Sequence, residues 1–417
     1  MVRKPLPVFG FILFALFAVP AAAQITIEEC REQARLNYPL VKKLDLIAKA
    51  SDYTVSNANR RYLPVVTVSG RATYQSEVTE FSTYLPGFES LSKDQYLVTV
   101  DVAQVLWDGG RVRAQKKQSR ANEEIDILQL EVELYKLNDR VDQLFFGILL
   151  LDGQLRQNEL YAAELENSYK TITAHVENGI AGSADLDSVR LEQIKSFQDR
   201  IQLLSSREAY VLMLETMTGL DLGAGLVTPM VDIPIAFEIN RPELKLFDAQ
   251  VALYESQKSS ILADNMPEIS LFFSGNYGKP GLDMLNNDFH PYFQGGLKLS
   301  WTFSNLYTIG NSKRLIEVNR QSVETDRETF LLNTNLDIKQ QFSNLERLME
   351  TMKYDDEIIA LRRNVRKSAE AKVAGGIMTV ADYMREVIEE NLAYQNKMLH
   401  EIEFLEAVYK FRNTVNN

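Results

Sequence analysis

Cysteine is almost absent: Cys30 stands alone in 417 residues. A single thiol excludes an internal disulfide, so Cys30 is expected as a small buried apolar residue. Histidine is nearly as scarce, and His175, His290 and His400 are far apart in the chain. His400-Glu401 lacks the second histidine of a zinc-protease helix, and no Ser, Cys or Gly-rich loop signature is present. Asp185 and Asp187 lack the glycine and later glutamate of a calcium loop. Met349 and Met352 sit one turn apart, a spacing that serves core packing far more often than soft-metal handling. These residues therefore predict no enzyme, no bound metal and no cofactor. Basic residues are in deficit, with 45 Lys and Arg against 57 Asp and Glu, a net charge of −12. That balance argues against a nucleic-acid partner. No stretch after the first residues approaches 18 consecutive apolar side chains, so no transmembrane helix is readable.

The N-terminus carries an address. Arg3 and Lys4 precede an apolar run from Val8 to Val19, then Pro20 and Ala21-Ala22-Ala23. A charged start, a short apolar middle and small residues at the end predict a secretory signal peptide over 1–23, with Gln24 as the mature N-terminus. Cys30 lies beyond the cleavage point, so it is no lipoprotein anchor.

The rest of the chain repeats itself. Asn37-Tyr38-Pro39, Leu63-Pro64 and Tyr74 match Asn240-Arg241-Pro242, Met266-Pro267 and Tyr277, with one constant spacing for both prolines and the tyrosine. Gly179-Ile180 and Ala184-Asp185 match Gly376-Ile377 and Ala381-Asp382 at a slightly shorter spacing, as a shorter loop between paired strands would produce. The order of these matches predicts a tandem duplication. Its parts are a first repeat over 24–218, a linker over 219–239 and a second repeat over 240–417.

Each repeat holds two strand candidates. In the first, Val66, Val68, Gly70, Ala72 and Tyr74 alternate with Thr67, Ser69, Arg71, Thr73 and Gln75. Val98, Val100 and Val102 alternate with Thr99 and Asp101, and Leu297, Leu299 and Trp301 alternate with Lys298, Ser300 and Thr302. In the third strand Phe272 interrupts an otherwise polar side. Two-faced strands of about ten residues with aromatics near their ends suit a membrane barrel, although a soluble antiparallel sheet would show the same alternation. On the barrel reading, Arg71, Asp101 and Lys298 face the lumen, and 75–95 and 278–291 are loops outside the cell.

Helices tip the balance. Leu130, Leu134, Leu137, Val141, Leu144 and Ile148 keep a four-three spacing, a coiled-coil seam. One helix over 108–174 would be about 100 Å long. The second repeat carries a matching helix from about Ser312 to Val373. Glycines at Gly179, Gly182, Gly375 and Gly376 end these helices, with Ser183 and Thr379 expected as N-caps of the returning ones. The fold class is thus mainly α with β, four membrane strands per chain and long helical hairpins. Four strands cannot close a barrel, and open edges are not tolerated in lipid, so the chain must oligomerise. Two copies would supply eight strands and three would supply twelve.

Thr26-Ile27-Glu28-Glu29 with Asn37-Tyr38-Pro39-Leu40 resembles the opening of TolC-like outer-membrane efflux proteins, and Trp107-Asp108-Gly109-Gly110-Arg111 resembles their strand-to-helix signature. Thr26 and Glu29 also read independently as a capping box. The resemblance implies a homotrimer in outer-membrane lipid, with a twelve-stranded barrel and a helical tunnel in the periplasm. It implies a passive duct for an efflux pump or type I secretion, docked near its tip by a periplasmic adaptor and an inner-membrane transporter. It also implies that the tip, here 176–187 and 373–385, closes the duct, which makes Gly179, Asp185, Gly376, Asp382 and Arg385 gate candidates. Arg385 stands where a second acid can occur in the family, while Val373 and Met378 replace polar residues used in some of its gates. The alternative is an adhesive or structural coiled coil anchored by its strands, without transport. On either reading, Asp185 and Asp382 also suit helix N-termini, where a carboxylate meets the positive end of the dipole.

Overall fold

The computed structural model describes residues 25–79, 90–231, 238–283 and 285–416. The expected signal peptide over 1–23, part of the first strand-to-strand loop and part of the expected linker over 219–239 lie outside them. One four-stranded antiparallel sheet runs in the order β1 (Val65–Tyr74), β2 (Asp94–Trp107), β3 (Glu268–Lys279) and β4 (His290–Ser300). The strands expected from alternation are all present. The loops are shorter than 75–95 and 278–291, because Asp94, Gly278, Lys279 and His290 already carry ladder pairs. The ladder bonds extend each strand past the point where alternation fades. A bulge between Val105 and Trp107 ends the β2–β3 ladder.

Nine helices are present among the described residues: α1 (Ile27–Asn37), α2 (Lys42–Arg60), α3 (Arg111–Tyr135), α4 (Leu137–Glu177), α5 (Ser183–Thr218), α6 (Pro242–Asp264), α7 (Leu306–Met352), α8 (Asp355–Ala374) and α9 (Val380–Val415). No described helix is long and apolar enough to cross a membrane. The Thr26 half of the expected capping box forms, its hydroxyl accepting from Glu29 N–H at 3.2 Å.

The expected single helix over 108–174 is two helices. At Lys136 the backbone N–H reaches Val132 O only at 3.4 Å, a stretched bond with neither proline nor glycine nearby. The interruption falls where the packing partner changes, from α6 against α3 to α1 and α5 against α4. The second long helix is also interrupted. Tyr354 N–H turns back to Thr351 O, and Asp355, Asp356 and Glu357 then open α8. Three acids in a first turn stabilise a fresh N-terminus.

The chain forms two compact units, and each half of the sequence contributes to both. One comprises Met1–Tyr38, Leu137–Pro234 and Asn344–Lys410; the other comprises Pro39–Lys136, Ile235–Ser343 and Phe411–Asn417. In the first, Cys30, Ala34, Val141, Phe145, Phe146 and Leu214 build the main core. Burial pushes the Cys30 thiol up to about 12, with Glu29 and Glu28 adding to the shift, so it stays a neutral packing group. Arg31 forms a two-pronged pair with buried Asp142, at 2.7 and 2.5 Å, and its guanidinium lies 5.0 Å from the Tyr409 ring centre. Burial works against the Arg31 charge, but Asp142 holds it firmly protonated. Breaking such a pair by removing one partner costs about 3–5 kcal/mol, since the other charge is left buried.

The second unit holds the sheet with α2, α3, α6 and most of α7. Here Arg241 stacks over Tyr135, at 4.9 Å to the ring centre, and donates to Asn413 O at 3.3 Å. Asn240 N–H bonds Val415 O at 2.9 Å, so the end of the chain is tied to the start of α6.

Candidate functional site: a two-faced sheet, its junction and the helical turns

The register sorts the side chains of the sheet into two populations. On one face the row Thr67–Asp101–Ser274–Gln294 crosses all four strands. Ser274 Oγ donates to Asp101, and Thr99 Oγ1 donates to Asn276 Oδ1 at 2.7 Å. Arg71 and Lys298 share this face, since Arg71 lies across from Leu97, two residues from Thr99, and Lys298 across from Ser270. The three residues expected to face a lumen are therefore on one side. Phe272, the misfit there, lies opposite Gly296, where an added Cβ would be 3.3 Å from its ring. The missing side chain makes room for the aromatic ring, a known way of rescuing a glycine in a sheet.

The opposite face is apolar and uncovered. Val68, Val100, Phe273, Phe293 and Leu297 are exposed, Leu297 to 70 %. Tyr96 and Tyr277 each lie about 6 Å from Phe289, ring centre to ring centre, at the loop end, and Trp301 lies tilted against Phe303, 4.5 Å between ring centres, at the helix end. At the tilt of barrel strands, the ten residues of β1 would rise about 25 Å, the height of the apolar band of a membrane barrel. A soluble protein would not leave so large an apolar sheet face to water. The outer edges, β1 and β4, have no strand partner among the described residues.

The junction from β2 to α3 is built around Asp108, which is 1 % exposed. Its carboxylate accepts from Val112 N–H at 2.6 Å, Tyr62 Oη at 2.8 Å and Gly110 N–H at 2.9 Å. Burial alone would raise its pKa, but these donors outweigh burial and hold the carboxyl below its usual range. Gly109 has φ +72°, and a Cβ there would stand 2.4 Å from that of Met266. Arg111 completes the joint, with Glu268 at 2.8 Å and Met266 O at 3.1 Å. In the sequence, Asp108, Gly109, Gly110 and Arg111 stand out by resemblance only, because their partners Tyr62, Met266 and Glu268 are distant along the chain.

The two helical turns repeat one device. Gly179 and Gly376 have φ +71° and +69°, and the next residues, Ile180 and Ile377, bond back to His175 O and Lys372 O at 2.8 Å. This glycine-ended closure satisfies the last carbonyls of α4 and α8. Asp185 Oδ2 then accepts from Gly182 N–H at 2.9 Å at the start of α5. Gly182 is the N-cap, and the expected cap Ser183 is the first helical residue. Thr379 does cap α9: its hydroxyl accepts from Asp382 N–H at 3.1 Å and donates to Asp382 Oδ2 at 2.7 Å. Arg385 lies 3.3 Å from Asp382, exposed to solvent. Both acids thus act at helix starts, and the turns pack through Ala181, Leu186 and Met378 onto one small core.

Above the turns, three side-chain bonds join α4 to the α8–α9 hairpin: Gln157 to Asn391 at 3.0 Å, Glu164 to Arg366 at 3.0 Å, and Ser168 to Tyr383 at 3.3 Å. Burial disfavours the charge on Arg366, but Glu164 and Glu390 hold it protonated. Sequence gave no sign of this row, because each member occupies a helical position that would suit solvent equally well.

The described residues thus form a sheet with an exposed apolar face, a polar reverse and two open edges, joined to long helical hairpins. Solved structures share that fold over nearly the whole chain. CusC, in a study of folding and transmembrane channel formation, matches at TM-score 0.72 and 12 % identity over 94 % of this chain and 92 % of that one. The outer membrane protein VceC of Vibrio cholerae matches at 0.67 and 10 %, over 94 % and 96 %. The CmeC outer membrane channel of Campylobacter jejuni matches at 0.65 and 12 %, over 93 % and 85 %. Residues 30–220 match the model of the family described as outer membrane efflux protein. No curated protein matches the chain.

Proposed function

We propose that this protein is the outer-membrane channel component of an efflux pump or type I secretion route, a passive duct from the periplasm to the exterior. The observation that carries this reading is the sheet: an exposed apolar face, a polar reverse and, among the described residues, unpaired edges on both sides. Open edges are not tolerated in lipid, so further copies must close the barrel; three copies of four strands make twelve. In this reading 1–23 is a cleaved signal peptide, and the repeats 24–218 and 240–417, joined by 219–239, arose by duplication. A periplasmic adaptor and an inner-membrane transporter supply contact and energy at the tunnel tip. The expected results are a homotrimer in native mass spectrometry from detergent and discrete conductance steps in a planar bilayer. A stable monomer would remove the barrel, and a trimer without conductance would leave only the anchored coiled-coil alternative.

The tip acids are the gate candidates of this reading. A narrow, low-dielectric mouth concentrates the field of exposed carboxylates, and Arg385 beside Asp382 offsets part of it. Replacing both Asp185 and Asp382 by Ala is expected to lower cation preference in single-channel recordings and weaken block by multivalent cations. Unchanged selectivity would leave both acids as helix-capping groups only.

A further inference from the structure

The hairpin loop between β3 and β4 exposes large apolar side chains beyond the last ladder pair. Leu282 is 59 % exposed, Leu285 47 % and Phe289 48 %. The loop keeps the two sides of the sheet. Tyr96 pairs with Ala72 and Tyr277 with Val98, so both rings belong to the apolar face. Phe289 lies against both of them, at 6.0 and 5.9 Å between ring centres. His290 pairs with Gly278 on the polar side and lays its ring on Gly281. The loop also satisfies much of its own backbone. Asp283 Oδ1 accepts from Leu285 N–H at 3.0 Å, Asn286 Oδ1 from Asp288 N–H at 2.9 Å, and Asp288 O from His290 Nδ1 at 2.9 Å. Asn287 Oδ1 takes Ser92 N–H at 3.0 Å, which ties the loop to the segment leading into β2.

We infer that this loop rests on the outer surface of the membrane, with Leu282 and Leu285 among the lipids at the headgroup boundary and Phe289 linking them to the barrel wall. The inference rests on the membrane reading of the sheet and extends it to a segment beyond the strands. Three observations select lipid as the occupant. Phe289 continues the apolar face without a break, through Tyr96 and Tyr277, so the medium that covers that face reaches the loop. Water is a poor medium for three large apolar side chains exposed together on one short loop. The polar groups then set the depth. Irregular backbone is not tolerated in the hydrocarbon region, whereas a loop whose turns bond their own N–H groups suits the boundary, where aromatic rings also concentrate. Asp283 and Asp288 are exposed and keep their water at that level. The contact also decides where the loop does not lie. Held on the lipid side, it leaves the mouth of the duct uncovered.

The test places a bimane fluorophore on single cysteine variants of the full-length protein in phosphatidylcholine nanodiscs. The variants are Leu282→Cys and Leu285→Cys in the loop and Leu297→Cys on the apolar face of β4; buried Cys30 is the only other thiol. Each label is read against brominated acyl chains, which quench from the lipid, and against iodide, which quenches from water. Both loop labels are expected to lose most of their emission in brominated lipid, as the Leu297→Cys label does, and to resist iodide. A loop label quenched by iodide instead, beside a lipid-quenched Leu297→Cys, would overturn the inference and leave the membrane reading of the sheet intact. A loop label that resists both quenchers would also overturn it, since a neighbouring copy then covers the loop. A Leu297→Cys label out of reach of the lipid would sink the sheet reading, and the inference with it.

Discussion

Val100→Arg is expected to abolish assembly in the outer membrane, whereas Thr99→Arg, one residue away, is expected to be tolerated. Val100 lies near the middle of β2 on the exposed apolar face, paired with Gly275 and Val68. Thr99 points to the polar reverse, where it bonds Asn276. Arginine on the lipid face of a barrel costs about 2–4 kcal/mol near the bilayer midplane. Every copy in a closed barrel would carry that cost, and a few kcal/mol per chain is comparable with the whole stability of many domains. On the polar face the guanidinium keeps its water and the cost falls to that of one lost side-chain bond. The measurement is the heat-resistant oligomer recovered from outer-membrane fractions of cells expressing each variant. Equal recovery of the two would mean that the apolar face does not meet lipid.

That contrast is legible in the alternation of β1 to β4, because a strand reports its two faces with a period of two and no distant partner is needed to read it. The glycine turns are legible for a related local reason: Gly179 and Gly376 require φ near +70°, which few other residues adopt. Helix existence follows equally from the four-three seam. Helix continuity does not, since Lys136 and Tyr354 have ordinary helical chemistry and the interruptions depend on what packs beside them. Ser183 was a reasonable cap by residue type, yet Gly182 takes the role because Asp185 supplies the oxygen from inside the helix. The Glu164–Arg366 bond joins residues 202 positions apart, and periodicity along one helix carries no information about that pairing.

Asp108→Ala is expected to cost about 3 kcal/mol or more and to loosen the joint between β2 and α3. Gly110 is the N-cap of α3, but the Asp108 carboxylate takes the Val112 N–H as a capping side chain would, a bond worth about 0.5–2 kcal/mol. Here the same carboxylate also satisfies Tyr62 and Gly110 in a buried setting, and each donor stranded by its removal costs about 1–3 kcal/mol. Asp108→Asn should recover part of the loss, since one amide oxygen can still accept a bond, while the amide nitrogen faces donors it cannot serve. The pH dependence follows from the lowered carboxyl pKa. A carboxyl held below its unfolded value, about 3.9 for Asp, contributes its full stability above that value and loses it as pH falls through the folded one. The gap in denaturant midpoint between wild type and Asp108→Ala should therefore be flat from pH 8 to about 5 and shrink only under strong acid. A gap that already narrows between pH 7 and 5 would mean that Asp108 is partly protonated at the junction, and that the three donors do not hold its charge.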